Sequence, residues 1–182
     1  EQLLLLARVE ATGLRPALSP VDVAALARGV TADLLPQAVR RGQDLGYDGP
    51  DRATSPSEEV LLGELLRNLV GNALAHCPPE TMVTVHLTDL GTGGLRLDVV
   101  DSGPAVADGQ LAALRSRLEP AGGPGERRSG SHGLGLHIVS EIARALGARV
   151  TLDRGPGGGG LSVQVTLPGA VRPESGEGWL GR

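Results

Sequence analysis

The sequence predicts an α/β fold, a two-layer sandwich in which helices cover one face of a mixed, mostly antiparallel sheet. The chain has 182 residues, of which 40% are hydrophobic, and this is enough for one domain with its own core. Segments with helical periodicity alternate with pairs of strand-like segments, in the order helix, hairpin, helix, hairpin. A short glycine-rich stretch joins each strand pair, which favours hairpins over the crossover connections of a doubly wound sheet.

The predicted helices are marked by apolar residues three and four positions apart and by residues that start or stop a helix. Asp22 is a candidate N-cap for the second helix, and Pro36 is expected to kink or shorten it. The stretch Ser55-Pro56-Ser57-Glu58 is a typical start for the third helix, which has the most regular pattern. The four helical segments are residues 2–12, interpreted as the end of a helix, 20–41, 57–76 and 134–146.

The predicted strands are marked by alternating apolar and polar residues. Glycine-rich turns at 91–94 and 155–160 join them into two hairpins, and short strand candidates lie around Tyr47. Residues 102–133 form a long connection with one weak helical stretch at 110–118, and connections of this length in compact domains are often lids. The four strands of the two hairpins are residues 82–88, 95–100, 149–152 and 161–167.

Composition argues against several classes of function. The chain has 17 basic and 21 acidic residues, a formal charge of −4, and therefore lacks the basic surface that nucleic acid binding requires. Its aromatic residues are Tyr47 and Trp179, which are too few for a base-stacking platform. Cys77 is the single cysteine, so neither an intrachain disulfide nor a multi-cysteine zinc site can form. No apolar run reaches the roughly 20 residues of a membrane span.

A polar stripe on the third predicted helix is the first candidate for a site. Glu64, Asn68, Asn72 and His76 are four residues apart, so each is rotated only about 40° from the last. The alternative is an ordinary solvent-exposed face, but such faces usually carry Lys and Glu, and Asn is a poor helix former. An amide oxygen is a hard ligand that suits Mg²⁺, which takes few protein ligands and completes its shell with water and phosphates.

Two further stretches suggest a nucleotide. Asp101 ends a predicted strand and precedes Ser102-Gly103-Pro104, where a carboxylate can accept a hydrogen bond from an amino group, although turn chemistry also accounts for it. Residues 133–136, Gly-Leu-Gly-Leu, open a helix after the long connection, so their backbone N–H groups and the positive end of the helix dipole can face phosphate oxygens. A dinucleotide fold does not fit, because its glycine turn follows the first strand.

The order of these motifs resembles the ATP-binding domain of sensor histidine kinases, in the superfamily of gyrase, histidine kinase and mismatch-repair ATPases. The stretches LLRNLVGNALAH (65–76) and GSHGLGLHIV (130–139) are specific matches, and the Asp101 motif lies between them. The resemblance covers about residues 17–168. It implies the two-layer fold described above, with ATP and Mg²⁺ as cofactors.

The resemblance also implies roles for individual residues. Asn72 is the expected Mg²⁺ ligand and Asn68 its companion near the phosphates, with His76 in the same motif. Asp101 is expected to accept from the adenine 6-amino group, and Gly103 to let the nucleotide approach. The phosphates are expected to be wrapped by Ser131, His132, Gly133, Leu134, Gly135 and Leu136. Gyrase-like members have a glutamate at the position of Asn68 that activates water, so its absence fits phosphoryl transfer to a histidine.

The resemblance divides the chain and implies partners. Residues 1–16 are the expected end of a dimerisation and phosphoacceptor hairpin with its linker, 17–168 the catalytic domain with a lid at about 104–130, and 169–182 a flexible tail. The implied partners are the protein's own hairpin domain, a second copy in a full-length homodimer, and a response regulator. The implied place is the cytoplasmic part of an inner-membrane sensor, with the phosphoacceptor histidine outside this chain.

Two alternatives remain open at this point. A non-catalytic nucleotide-binding or interaction module is favoured by Ala75, where the family often has Lys or Arg, by Ala105 in place of a glycine, and by the absence of Phe from the lid. An anti-sigma-factor serine kinase shares the motifs but lacks the helical hairpin that residues 2–12 are predicted to end.

Overall fold

The structure is a computed structural model that describes residues 16–118 and 134–169. The predictions made for residues 1–15, 119–133 and 170–182 lie outside this part of the chain. The helices are α1 (Val23–Arg40), α2 (Glu59–His76), α3 (Asp108–Leu118) and α4 (Leu134–Ala145). The strands are β1 (Ser19–Asp22), β2 (Asp44–Asp48), β3 (Thr54–Ser57), β4 (Met82–Asp89), β5 (Leu95–Asp101), β6 (Arg149–Arg154) and β7 (Leu161–Leu167).

Five of these strands form one mixed sheet in the order β2-β4-β5-β7-β6. β2 runs parallel to β4, and every other neighbouring pair is antiparallel. The two predicted hairpins are β4–β5 and β6–β7, and the first turns at Gly91–Gly94, where φ of Gly94 is +93° and disfavours a side chain. The predicted fold class, a two-layer sandwich with a mostly antiparallel sheet, is confirmed.

The core lies between the sheet and one layer of helices. On β4 and β5 the inward residues alternate with polar outward ones: Val83 and Val85 are buried, whereas Thr84 and His86 face the open side of the sheet. α2 is the central helix and packs against both α1 and α4. Its fully or nearly buried side chains are Leu62, Leu65, Leu66, Leu69, Val70 and Leu74. This burial explains the regular periodicity of the α2 sequence and holds its polar stripe in a fixed direction.

The structure corrects the predicted start of the α2 helix. Ser55-Pro56-Ser57 belongs to β3, which pairs antiparallel with β1 in a separate two-stranded ribbon. The helix begins at Glu59, and the Glu58 carboxylate caps it by accepting from the N–H groups of Val60 (3.3 Å) and Leu61 (2.7 Å). The local capping signal is overridden because β3 finds a partner strand more than 30 residues earlier in the chain.

The predicted N-cap of α1 is confirmed, and the shortening expected at Pro36 is not found. Asp22 is the N-cap, and its Oδ1 accepts from the Ala25 N–H at 3.1 Å. This hydrogen bond lowers the pKa of the Asp22 carboxyl. Pro36 does not shorten the helix, which continues to Arg40, because a proline removes only one donor, within the last two turns. Within the described residues, no helix has the length and apolar character needed to cross a membrane.

Candidate functional site

The Asp101 carboxylate lies at the end of β5, where the strand passes into the Ser102-Gly103-Pro104 turn. The residue is only 8% exposed. Its Oδ1 accepts from the Gly103 N–H at 2.9 Å, and its Oδ2 accepts from the Leu161 N–H, at the start of β7, at 3.2 Å. Two backbone donors, one from the turn after β5 and one from the start of β7, thus hold the carboxylate in one orientation. An ionised carboxylate can only accept, so what it recognises must donate.

Two glycines allow the backbone to pack directly onto Asp101. Gly160 has a φ of +59°, and a Cβ there would overlap the Asp101 carbonyl oxygen and lie 2.5 Å from its Oδ1. A Cβ on Gly103 would lie 2.7 Å from the same Oδ1. Both separations are shorter than any real Cβ atom tolerates, so side chains at these positions would displace the carboxylate. Gly103 was predicted as a site residue for a different reason, the approach of the nucleotide, and Gly160 was not predicted.

Cys77 also lies at this carboxylate, which the sequence analysis missed. It is the C-cap of α2, and its thiol and the Asp101 carboxylate both lie against Gly103, since a Cβ built there would be 3.2 Å from the Cys77 Sγ and 2.7 Å from the Asp101 Oδ1. Burial, together with the adjacent negative charge of Asp101, raises the pKa of the Cys77 thiol from 9.0 to about 12. The thiol is therefore protonated at neutral pH. The signal in the sequence was its position, directly after the predicted motif of α2.

A second cluster joins α2 to the first turn of α4. A Cβ built on Gly135 would overlap Nδ2 of Asn72 and lie 2.6 Å from its Oδ1, so the half-buried Asn72 amide rests against the α4 backbone. Asn68, one turn earlier, is 8% exposed and donates from Nδ2 to the main-chain oxygen of Glu64 at 2.8 Å. The polar stripe thus faces α4 at Asn72 and is not an ordinary exposed face there.

The two clusters lie along the last turns of the same helix. Asn72 and Cys77 are five residues apart, which is about 7 Å along a helix axis. Four of the predicted site residues are therefore brought together in the structure: Asn72, Gly135, Asp101 and Gly103. His76, by contrast, is exposed at the last position of α2. Leu136 is half-buried and packs against the core. The predicted residues Ser131, His132 and Gly133 lie outside the described part of the chain, and Leu134 is the first residue of α4.

The first half of the predicted lid is a docked helix. Arg154 on β6 donates to the Asp108 carboxylate at 2.5 Å and to the Val106 carbonyl at 3.1 Å, and the ion pair lowers the pKa of Asp108. Arg115 of α3 donates to the Leu152 carbonyl at 2.9 Å. Three hydrogen bonds among five residues thus tie 104–118 to the sheet. The rest of the predicted lid, 119–130, is outside the described residues.

The described ranges contain no group of three or more His, Cys, Asp and Glu side chains that could hold a metal ion by itself. A magnesium ion bound with a nucleotide needs no such cage, because one or two protein oxygens suffice when phosphates supply the others. The Asn72 amide against the N-terminal turn of α4 fits that donor set.

Comparisons with known proteins agree with this geometry. Residues 57–171 match the family described as histidine kinase-, DNA gyrase B- and HSP90-like ATPase. Sensor protein kinase PmrB of Pseudomonas aeruginosa is 35% identical over 95% of this chain and 36% of its own length. The probable sensor histidine kinase TcrY of Mycobacterium tuberculosis is 31% identical over 93% of this chain and 35% of its own.

A solved structure extends the similarity to the fold. Full-length ShkA, determined in complex with AMPPNP, is 28% identical with a TM-score of 0.74, covering 92% of this chain and 34% of that chain. The chain spans about a third of the length of the curated relatives that it matches. The family resemblance predicted from the motifs is confirmed. The chain belongs to the family of histidine kinase-, DNA gyrase B- and HSP90-like ATPases, and its relatives in that family are sensor histidine kinases.

Proposed function

We propose that this chain binds Mg²⁺·ATP and transfers the γ-phosphoryl group to a histidine on a helical hairpin outside it, as one step of two-component signalling. The observation that carries the proposal is the pair of clusters on α2. The Asp101 carboxylate, a fixed acceptor, lies at one end of the site. The Asn72 amide of α2, which rests against the N-terminus of α4, lies at the other.

The adenine base is assigned to the Asp101 end. Adenine presents an amino group at its 6-position, whereas guanine presents a carbonyl oxygen there, which cannot donate to a carboxylate. Gly103, which has no side chain to displace the carboxylate, is expected to let the nucleotide approach. The site is therefore expected to prefer ATP to GTP.

The phosphates are assigned to the other end. The first turn of a helix offers N–H groups that have no partner within the helix and the positive end of the helix dipole, both of which favour phosphate oxygens. Asn72 would hold Mg²⁺ through its amide oxygen, with Asn68 nearby, and the ion would neutralise phosphate charge when bound. His76, Leu134, Leu136 and the residues of 131–133 remain predicted members of this end of the site.

The reaction itself needs no nucleophile from the described residues. The bond between the γ-phosphorus and the bridging oxygen breaks, ADP keeps the electron pair, and a P–N bond forms to the acceptor imidazole, which releases its ring proton. The role of the chain is to position the nucleotide and stabilise charge with backbone donors. A neutral amide at Asn68, in place of a carboxylate that could activate water, fits transfer rather than hydrolysis.

The remaining assignments follow from the same proposal. The partners are the protein's own phosphoacceptor hairpin, a second copy of the full-length protein and a response regulator. The chain would be the cytoplasmic domain of a membrane sensor, with residues 1–16 leading from the hairpin and 169–182 as a tail.

The test is phosphoryl transfer in trans. The 182-residue chain is incubated with γ-labelled ATP, with and without a separately produced hairpin fragment from the same protein. We expect acid-labile label on the hairpin and negligible label on the chain itself, whose histidines are His76, His86, His132 and His137.

Other outcomes identify the alternatives. Acid-stable label on a serine would indicate a serine kinase, and tight ATP binding with no label on any hairpin would indicate a non-catalytic module. Efficient acid-labile self-labelling would place the acceptor among the chain's own four histidines. Any of these results would overturn the proposal.

A further inference from the structure

The chain's single cysteine stands directly beside the Asp101 carboxylate, in a position that the proposed function does not use. A Cβ built on Gly103 would lie 3.2 Å from the Cys77 Sγ and 2.7 Å from the Asp101 Oδ1, so Gly103 packs against both groups at once. The thiol and the carboxylate are therefore neighbours across Gly103, and the charge of Asp101 contributes to the raised pKa of the thiol. Since a carboxylate only accepts, a hydrogen bond between them must be donated by the thiol.

The hydrogen bonds to Asp101 leave little freedom for its carboxylate. A carboxylate has about four lone-pair directions. The Gly103 N–H occupies one lone-pair direction of Oδ1 at 2.9 Å, and the Leu161 N–H occupies one of Oδ2 at 3.2 Å. A hydrogen bond from the Cys77 thiol would fill a third and leave one direction for an incoming donor. Without the thiol, two directions would be open, and the carboxylate would have one fewer restraint on its rotation.

The backbone that carries Cys77 is fixed by a buried side chain from another element. Gln43, which is 4% exposed and precedes β2, donates from Nε2 to the carbonyl oxygens of Cys77 at 2.6 Å and Pro78 at 3.2 Å. The Cys77 N–H in turn donates to the Ala73 carbonyl of α2. The Sγ atom therefore has a defined position, as a group that orients another must have.

We propose that Cys77 is a positioning residue that sets the specificity for the base: its thiol donates to Asp101 and leaves one lone pair of that carboxylate aimed at the 6-amino group of a purine. This inference rests on the proposed function, in which Asp101 accepts from adenine. Protonation of the thiol agrees with it, because a pKa of about 12 keeps the S–H donor at any physiological pH.

The experiment measures the affinity of the 182-residue chain for two nucleotides by calorimetry. ATP carries the 6-amino group, and purine riboside 5′-triphosphate lacks it but is otherwise the same. Cys77→Ala removes the thiol donor and leaves a smaller side chain, whereas Cys77→Val removes it with a side chain of similar volume. Cys77→Ser keeps a donor, its hydroxyl group. Ser102→Ala is the matched control, since its hydroxyl accepts from Met82 N–H at 2.9 Å in the same turn and is not a partner of Asp101.

We expect Cys77→Ala and Cys77→Val to weaken ATP binding about fivefold to tenfold while changing the affinity for purine riboside triphosphate less than twofold. Cys77→Ser should return ATP binding to within about twofold of the wild type, and Ser102→Ala should change neither affinity. Thermal unfolding of each variant verifies that it is folded. The selective loss is the readout that a purely structural role of Cys77 would not produce.

Several results would overturn the inference. An equal loss for both nucleotides would make Cys77 a packing residue, and unchanged ATP affinity in Cys77→Val would leave the thiol without a role. If the wild type binds both nucleotides equally well, the assignment of Asp101 to the amino group fails first. If it binds no ATP at all, the proposed function fails, and the wild-type measurement separates this from failure at Cys77.

Discussion

Gly160→Ala is expected to damage the nucleotide site, although residue 160 itself makes no proposed contact with a ligand. Gly160 lies in the β6–β7 turn with a φ of +59°, and a Cβ there would overlap the carbonyl oxygen of Asp101 and press on its carboxylate. Gly157 in the same turn is the matched control: its φ is +75°, and nothing lies within 4 Å of a Cβ built on it. Comparison of the two alanine variants separates backbone strain from the contact with Asp101.

The magnitudes follow from these geometries. Alanine in the left-handed region costs about 1–2 kcal/mol, and both variants bear that cost. In Gly160→Ala, Asp101 must also move, which weakens hydrogen bonds from Gly103 and Leu161 worth about 1.5–3 kcal/mol when the acceptor is charged. We therefore expect Gly160→Ala to lose about 3 kcal/mol of unfolding free energy and Gly157→Ala about 1 kcal/mol. Since 1.4 kcal/mol is tenfold in affinity, a displaced Asp101 should weaken ATP binding at least about tenfold.

The assays are urea unfolding for stability and calorimetry for ATP affinity. Gly157→Ala should bind ATP as the wild type does, whereas Gly160→Ala should bind it more weakly at a temperature where both variants are folded. Equal stability and equal ATP affinity in the two variants would show that the Asp101 contact at Gly160 has no consequence. Close packing of residue 160 onto Asp101 would then not be the reason why glycine stands there.

Three further predictions use the same assays or a chemical probe. Asn72→Ala should weaken Mg²⁺·ATP binding at least about tenfold, near 1.4 kcal/mol, with little change in thermal stability; unchanged affinity would make the amide a surface group. Gly135→Ala should weaken Mg²⁺·ATP binding because its Cβ displaces the Asn72 side chain. Gly29→Ala is its control: it lies in open space inside α1 and should stabilise the fold by about 0.5–1 kcal/mol. Equal Mg²⁺·ATP binding by the two variants would contradict the role of the Gly135–Asn72 contact. Because the pKa of Cys77 is raised from 9.0 to about 12, less thiolate is present at pH 8, and Cys77 should react with iodoacetamide at least about tenfold more slowly in the folded chain than in urea. The stabilisation from its protonated thiol, complete below pH 9, should be lost between pH 9 and about 12. Equal alkylation rates would show an unperturbed thiol.

Much of the site was predictable because its parts are local motifs. Asn68 and Asn72 share a helix face, and Asp101 ends a strand, so their positions follow from periodicity alone. The parts that were missed depend on contacts between distant segments. Cys77 and Gly160 are 24 and 59 residues from Asp101 in the sequence, and no local pattern indicates that both touch it.

The sequence by itself determined the fold class, the strands of both hairpins and the central helix, because each of these is encoded by residue spacing within a few turns or one hairpin. It also indicated the family, through the resemblance that the order of its motifs carries. Only the tertiary structure decided that Ser55–Ser57 is a strand, that α3 is tied to β6, and that a thiol and two glycines surround Asp101. The physical reason is that the energies of strand pairing, close packing and burial depend on which segments meet, and this is settled by the whole chain when it folds.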